Sequence, residues 1–268
     1  MHSSLRVYLI VIITIQHTMS LTLSSKRVTL IRHGCTEANL WLSQAGSTWG
    51  CRGFKDDEKY RDSILSPKGI EQCRNLNDRL HSADPPIDLS SVSHLFVSPL
   101  TRTLQTATIV FDNTLVSNKL TACPLLRERH YLASDVGTPR IELRTKFPNV
   151  NFDKDLNFPS DERAPWWYTH DERKDGPYKE WRPHDKGQSY TEQGEVQTAF
   201  DRRMNALYKM LCETDGEHIA CVTSWGVIRW LTDGRDFDNC DCVTLEINEI
   251  GKNVEKNNAK AVARVSKI

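Results

Sequence analysis

His33 stands between Arg32 and Gly34, directly after the apolar, β-branched run Val28-Thr-Leu-Ile31. An imidazole can act as a nucleophile, and an adjacent guanidinium offers a planar fork that matches phosphate oxygens. Arg102 lies in Ser98-Pro-Leu-Thr-Arg-Thr103, in the first turn of a predicted helix. Two arginines can hold a phosphoryl group through bidentate, charge-assisted hydrogen bonds, and a helix N-terminus adds a favourable dipole. Glu128 lies in Leu125-Leu-Arg-Glu-Arg-His-Tyr131. Beside a bound phosphate its carboxyl rises in pKa and can protonate a departing alkoxide. Singly these signals are weak. Arg-His-Gly arises by chance, Arg102 alone reads as a solvated helix residue, and Glu128 alone reads as a surface ion pair with Arg127 or Arg129.

What raises them is the elements that must carry them. Arg27–Ile31 and His94–Val97 read as buried strands, the second followed by a tight turn and a helix. That is the unit of a parallel sheet, whose ligands bind at the carboxyl edge of the strands. Ser66-Pro67 and Ser98-Pro99 each read as a helix start, with serine as cap and proline at the first position. The first of these helices shows one face of Ile70, Cys73, Leu76 and Leu80, and Asp84-Pro-Pro86 ends it. Val196, Phe200, Met204, Leu207 and Leu211 mark a long helix. His218–Val222 and Val243–Ile247 read as further strands, with a helix through Ile228 and Leu231 between them. The expected fold is α/β, a three-layer sandwich with a mostly parallel central sheet.

Residues 46–63 read as a polar loop. Residues from about 134 to 189 break the strand–helix rhythm and carry Trp166, Trp167, Tyr168 and Trp181. So many large rings predict an inserted lid or subdomain, not a linker. The tail from Gly251 is rich in lysine and asparagine and reads as frayed at its end.

Lysine plus arginine and aspartate plus glutamate both number 35. With no net charge, no overall field favours a nucleic acid or an anionic membrane. The eight cysteines are scattered, unlike a secreted disulfide framework, and read as reduced structural thiols. Cys240 and Cys242 are the sole close pair along the chain, and no further ligands stand at zinc-site spacing. Residues 1–20 hold Arg6 and an apolar run from Val7 to Ile15, too short to span a bilayer of ~20 helical residues. The segment reads as a signal peptide, implying the secretory pathway, or as a misassigned start, with Met19 opening a cytoplasmic protein. The folded domain is expected over 21–268.

Leu30-Ile-Arg-His-Gly-Cys-Thr-Glu-Ala-Asn39 resembles the RHGxTxxN signature of the histidine phosphatase superfamily, in its phosphoglycerate mutase-like branch. The blocks from Asp62 to Gln72, Ser98 to Ala107 and Leu126 to Tyr131 resemble its next three motifs in order and spacing. The similarity runs from about Arg27 to Leu231. The resemblance implies that His33 becomes a phosphohistidine, that Arg32 and Arg102 hold the phosphoryl group, and that Glu128 is the proton donor. It implies that Thr36 and Asn39 line the substrate pocket, and that neither metal nor cofactor is used. The expected partner is a small phosphorylated substrate. Oligomeric state is left open.

One block departs. The family's last signature reads roughly V-[ST]-H-x-G, and here Ser224 occupies the histidine position in Cys221-Val-Thr-Ser-Trp-Gly226. His218 lies six residues upstream, roughly 20 Å away at ~3.3 Å per residue of strand, and cannot substitute. A serine hydroxyl donates one uncharged hydrogen bond. The leading expectation is a metal-independent phosphomonoesterase of reduced efficiency. The alternatives are a silent phosphate-ligand-binding pseudoenzyme and a mutase-type phosphotransferase. The segment after Tyr131 lacks the longer mutase pattern, which favours the phosphatase.

Overall fold

The computed structural model describes residues 26–44, 57–152, 158–167 and 195–265. Residues 1–20, 46–56 of the expected loop, and 153–157 and 168–189 of the Trp-rich stretch, with Tyr168 and Trp181, lie outside the described residues.

Five strands form one sheet: β1 (Arg27–Arg32), β2 (His94–Val97), β3 (Leu120–Ala122), β4 (His218–Thr223) and β5 (Cys242–Glu246). Their order is β3-β2-β4-β1-β5, with β5 antiparallel to β1 and the other pairings parallel. Side chains alternate between two cores. Val28 and Leu30 of β1, with Ile219 and Cys221 of β4, face one layer of helices. Ile31, Ala220 and Val222 face the other. Both faces are covered, so β4 is buried along its whole length and reads as an uninterrupted apolar run.

One layer holds α2 (Pro67–Leu80), α3 (Thr101–Val110) and α4 (Arg140–Lys146); the other holds α5 (Gln197–Glu213), α6 (Trp225–Leu231) and α7 (Ile247–Val265). Short α1 (Glu37–Leu42) follows β1. The expected α/β three-layer fold is the observed one.

Helix α2 starts as read: Ser66 Oγ accepts the Gly69 N–H and Pro67 is the first residue. It stops at Leu80, ahead of Asp84. Helix α3 does not start at Ser98-Pro99. It begins at Thr101, and its cap comes from a distant residue. The Asp62 carboxylate accepts the Thr101 N–H at 2.8 Å and the Thr101 hydroxyl at 2.6 Å. A carboxylate satisfies the free amides of a helix start better than a serine, and Asp62 holds a left-handed φ of 43° to reach it.

The tail from Gly251, read without an element of its own, continues α7 to Val265, and its last three residues, 266–268, lie outside the described residues. Ile247, Ile250 and Val254 recur at helical spacing and bury against Met204, Leu207 and Leu211 of the same core. Of the expected insert, residues 134–152 and 158–167 pack beside β3. Asn151 exchanges backbone bonds with Leu120 and Ala122, and Phe152, Phe158 and Trp166 join the α2–α3 core. Trp166 Nε1 donates to the Thr138 carbonyl at 2.8 Å. Those rings build core, which explains why so many sit in an otherwise polar stretch.

Candidate active site

The parallel strands β1, β2 and β4 end at one level, with Arg32 opposite Thr223 and Val97 opposite Val222. The segments that follow them, and the one after β3, converge there. A cavity of about 830 Å³ opens at this edge and is lined by Arg32, His33, Thr36, Asn39, Arg102 and Glu128. Six of the seven expected site residues thus meet.

His33 is 4% exposed. Its backbone N–H donates to the Thr223 carbonyl, tying it to β4. Its Nδ1 lies 2.8 Å from the Gly34 carbonyl oxygen. A carbonyl only accepts, so Nδ1 carries the proton and Nε2 keeps its lone pair. Burial, then the charges of Arg102 and Arg32, hold the imidazole pKa well below its ordinary value. At neutral pH the ring is uncharged and nucleophilic.

A glycine beside a site residue can serve to let the chain approach a ligand closely. The structure gives a different reason for Gly34. A Cβ there would lie 2.8 Å from the Gly69 carbonyl and 2.9 Å from the Cys73 sulfur, so glycine lets α2 pack against the His33 turn. Thr36 and Asn39 bind each other: Thr36 Oγ1 accepts the Asn39 N–H at 3.0 Å, and Asn39 Oδ1 accepts the Thr36 N–H at 3.1 Å. This capping box fixes α1 at the cavity wall.

Arg102 enters from α3 and is buried. Its Nη1 donates to the Ser134 carbonyl and its Nη2 to Asp135 Oδ1 at 2.9 Å. Asp135 Oδ2 accepts the amides of Tyr131 and Leu132. Asp135, a residue the sequence reading passed over, therefore ties the phosphate-holding candidate to the loop that carries Glu128. Arg32 Nη1 donates to the Phe237 carbonyl. Both arginines keep a buried Nε with no hydrogen-bond partner.

The Glu128 carboxylate forms no ion pair with the guanidinium of Arg127 or Arg129 and binds backbone amides instead. Its Oε2 accepts the Gly226 N–H at 3.0 Å and its Oε1 the Arg129 N–H at 2.7 Å. A Cβ on residue 226 would fall 2.2 Å from Oε1, so this glycine is needed for the carboxyl to sit there. Burial, followed by the Asp135 charge, raises the Glu128 pKa.

Ser224 alone stays out of the cavity. It caps α6 with no side-chain bond, is fully buried, and its Oγ is unpartnered. Trp225 does not fill the space behind it. That ring is 37% exposed, lines the cavity, and lies under the Arg229 guanidinium. His218 sits at the far end of β4, bonded to Thr29 and Ser91 at 2.7 Å each.

The outer wall was largely missed. Arg129, Tyr131, Phe200, Arg229, Asn257 and Lys260 contribute to it. The last two belong to α7, whose Ile247-Ile250-Val254 spacing was the available signal. Among the described residues, no group of three or more His, Cys, Asp or Glu side chains could hold a metal ion. Among them, too, no helix is long and apolar enough to cross a membrane.

A "Phosphomutase-like protein 3" of Candida albicans is 35% identical over 80 residues, 30% of this chain and 24% of that relative. The chain thus spans about a quarter of that relative's length. Similar solved structures include an Escherichia coli protein described as a putative alpha-ribazole-5'-P phosphatase (20% identity, 82% of this chain and 89% of that one, TM-score 0.45). A Thermus thermophilus phosphoglycerate mutase matches at 20% identity over 82% of this chain and 92% of its own, with TM-score 0.41. A phosphoserine phosphatase variant from Entamoeba histolytica, bound to phosphoserine, matches at 17% identity over 82% and 89%, with TM-score 0.43. The sequence profile of the histidine phosphatase superfamily (branch 1) matches residues 28–258. A match over most of the chain means that this protein belongs to the histidine phosphatase superfamily, branch 1.

Proposed function

We propose that the chain hydrolyses small phosphomonoesters through a phosphohistidine at His33. The observation that carries this reading is the Nδ1–Gly34 bond, which leaves a neutral Nε2 lone pair beside two arginines with open donors. Nε2 attacks phosphorus, the ester P–O bond breaks, and Glu128 gives its proton to the leaving oxygen. The Glu128 carboxylate then takes a proton from water, the oxygen attacks phosphorus, and the P–N bond breaks. Inorganic phosphate leaves and His33 is restored. Arg32 and Arg102 offset the negative charge throughout, so no metal is required. Thr36 and Asn39 shape the pocket beside the nucleophile.

The residue at 224 supports a slow enzyme. Its unpartnered hydroxyl brings no positive charge to the phosphoryl oxygens. The same observation favours a second reading, in which the site binds phosphorylated ligands without turnover.

The test is phosphate release from an aryl phosphate, with acid-labile, base-stable phosphate sought on the chain. The parent should label and turn over, with no loss to a chelator. His33→Ala should not label, and its turnover should fall at least roughly a thousandfold, as expected for loss of a nucleophile. Equal labelling of parent and variant would remove His33 from this role. Ligand-dependent thermal stabilisation without turnover would select the binding-only reading.

A further inference from the structure

Cys73 and Cys240 lie far apart in sequence, yet their sulfurs are 3.6 Å apart beneath the His33 turn. Cys240-Asp-Cys242, the close pair along the chain, is not the close pair in space. Cys73 is fully buried on α2 against Gly34, and Cys240 reaches the surface by 7%. Cys240 also has an unusual backbone, with φ of 64°. The other non-glycine residues with positive φ among those described are Asp62, Asn113 and Asp233, types that tolerate the left-handed region. A cysteine held there is a local outlier beside the candidate nucleophile.

We propose that Cys73 and Cys240 are an oxidisable dithiol whose conversion to a disulfide disturbs Arg32 and His33. The oxidant is hydrogen peroxide. The thiolate of one of the two attacks a peroxide oxygen, the O–O bond breaks, and hydroxide leaves and takes up the thiol's proton, giving a sulfenic acid and water. The other sulfur attacks that sulfur, the S–O bond breaks, and a second water leaves. Two thiols and one peroxide yield one disulfide and two waters. Either sulfur can donate in the contact between them, and the donor favours its partner as thiolate.

Bond formation must shorten the gap from 3.6 Å to ~2.05 Å. Helix α2 is the stiffer side, because a Cβ on Gly69 would already overlap the Cys35 carbonyl. The 237–240 segment therefore moves. That segment holds the site directly: Phe237 O accepts from Arg32, Asn239 Nδ2 donates to the His33 carbonyl at 2.9 Å, and Cys240 N–H donates to the Arg32 carbonyl at 3.1 Å. Shifting it misplaces both side chains.

The activity arm rests on the phosphatase reading; the thiol chemistry does not. The reduced full chain is treated with hydrogen peroxide and mapped by non-reducing peptide mass spectrometry, with aryl phosphate turnover and vanadate-induced thermal shift measured alongside. Expected are a Cys73–Cys240 linked peptide, a turnover loss of roughly tenfold to a hundredfold, as for ångström misplacement of a reacting group, and a weaker vanadate shift. Dithiothreitol should restore both. Cys73→Ser should keep its reduced-state turnover and lose the response to peroxide; Cys240→Ser serves if the first variant does not fold. Absence of the linked peptide overturns the proposal, as does equal inhibition of Cys73→Ser. A linkage that changes neither turnover nor vanadate binding also overturns it. A parent with no turnover, reduced or oxidised, defeats the phosphatase reading instead, and the mapping and vanadate arms still decide this one.

Discussion

Arg127 and Arg203 sit a few residues or one helix away from the candidate site, and they are wired unlike Arg32 and Arg102. Glu195 bridges them, with Arg127 Nη2 at 3.0 Å and Arg203 Nε at 2.8 Å. Their remaining donors go to carbonyls of Pro124, Leu125, Arg127 and Trp167. Burial alone would push the Glu195 pKa up, but Arg203 and Arg127 outweigh it and pull it down to about 2. The cluster is closed. Arg32 and Arg102 are instead held by one or two partners each, and each keeps a buried Nε open. Closed wiring fixes a loop; open wiring leaves capacity for an incoming anion. That difference is what the proposed role of Arg32 and Arg102 rests on, together with their place at the cavity.

The sharpest way to break this contrast is Glu195→Gln. It leaves two buried guanidiniums without their counter-charge, which should cost about 3–5 kcal/mol. In a chain this size the melting temperature should drop by roughly 10 °C, while turnover per folded molecule holds. Arg102→Lys should do the reverse. It keeps a charge near Asp135 but loses the fork, and turnover should fall roughly a hundredfold to a thousandfold with a far smaller melting shift. If both variants chiefly lower melting temperature, open and closed clusters do the same work and the contrast fails.

Ser224→His tests whether the open side lacks a donor. A charged hydrogen bond is worth about 1.5–3 kcal/mol, hence roughly ten- to over a hundredfold in turnover. The gain should vanish when His33→Ala is added. A well-folded Ser224→His no faster than the parent would shift weight to the binding-only reading.

The smallest effect concerns pH. Asp135 adds negative charge beside Glu128 and helps raise its pKa. Arg102 and Arg32 oppose that rise, and Tyr131 is the other titratable group alongside. In the proposed mechanism Glu128 acts protonated, so activity should decline as pH climbs through its raised pKa. In Asp135→Asn that alkaline limb should move to lower pH, because the neighbouring negative charge that helps hold the carboxyl up is gone. An unchanged profile with lower turnover would mean that Asp135 only positions Arg102.

The sequence made the strand-end placement of His33 and Arg102 legible, because each follows a short apolar strand, whereas β3, which leads to Glu128, is only three residues long and gave no strand signal. It also exposed Ser224, since a serine at a motif position is visible without coordinates. Asp62 as the cap of α3 was hidden, because the contact joins residues 39 apart across a loop. The α3 start was misread for the same reason: a local Ser-Pro signal yielded to a stronger distant carboxylate. Helix α7 was misread because its lysines and asparagines outnumber the few apolar residues that bury. Asp135 gave no signal, for its role depends on Arg102 arriving from another element.

The sheet order has a consequence for how the molecule assembles. Strand β1 is flanked by β4 and β5, and Arg27 pairs with His218 on one side and Glu246 on the other. Both edges of the strand that leads to His33 thus stay bare until chain about 190 residues downstream has come back to it, a span implied by those pairings. Loop closure over such a distance must precede the contacts that reward it, which makes folding slow and leaves an apolar edge open to wrong partners meanwhile. The pocket therefore cannot form early from local structure: it is completed only when the whole sheet is.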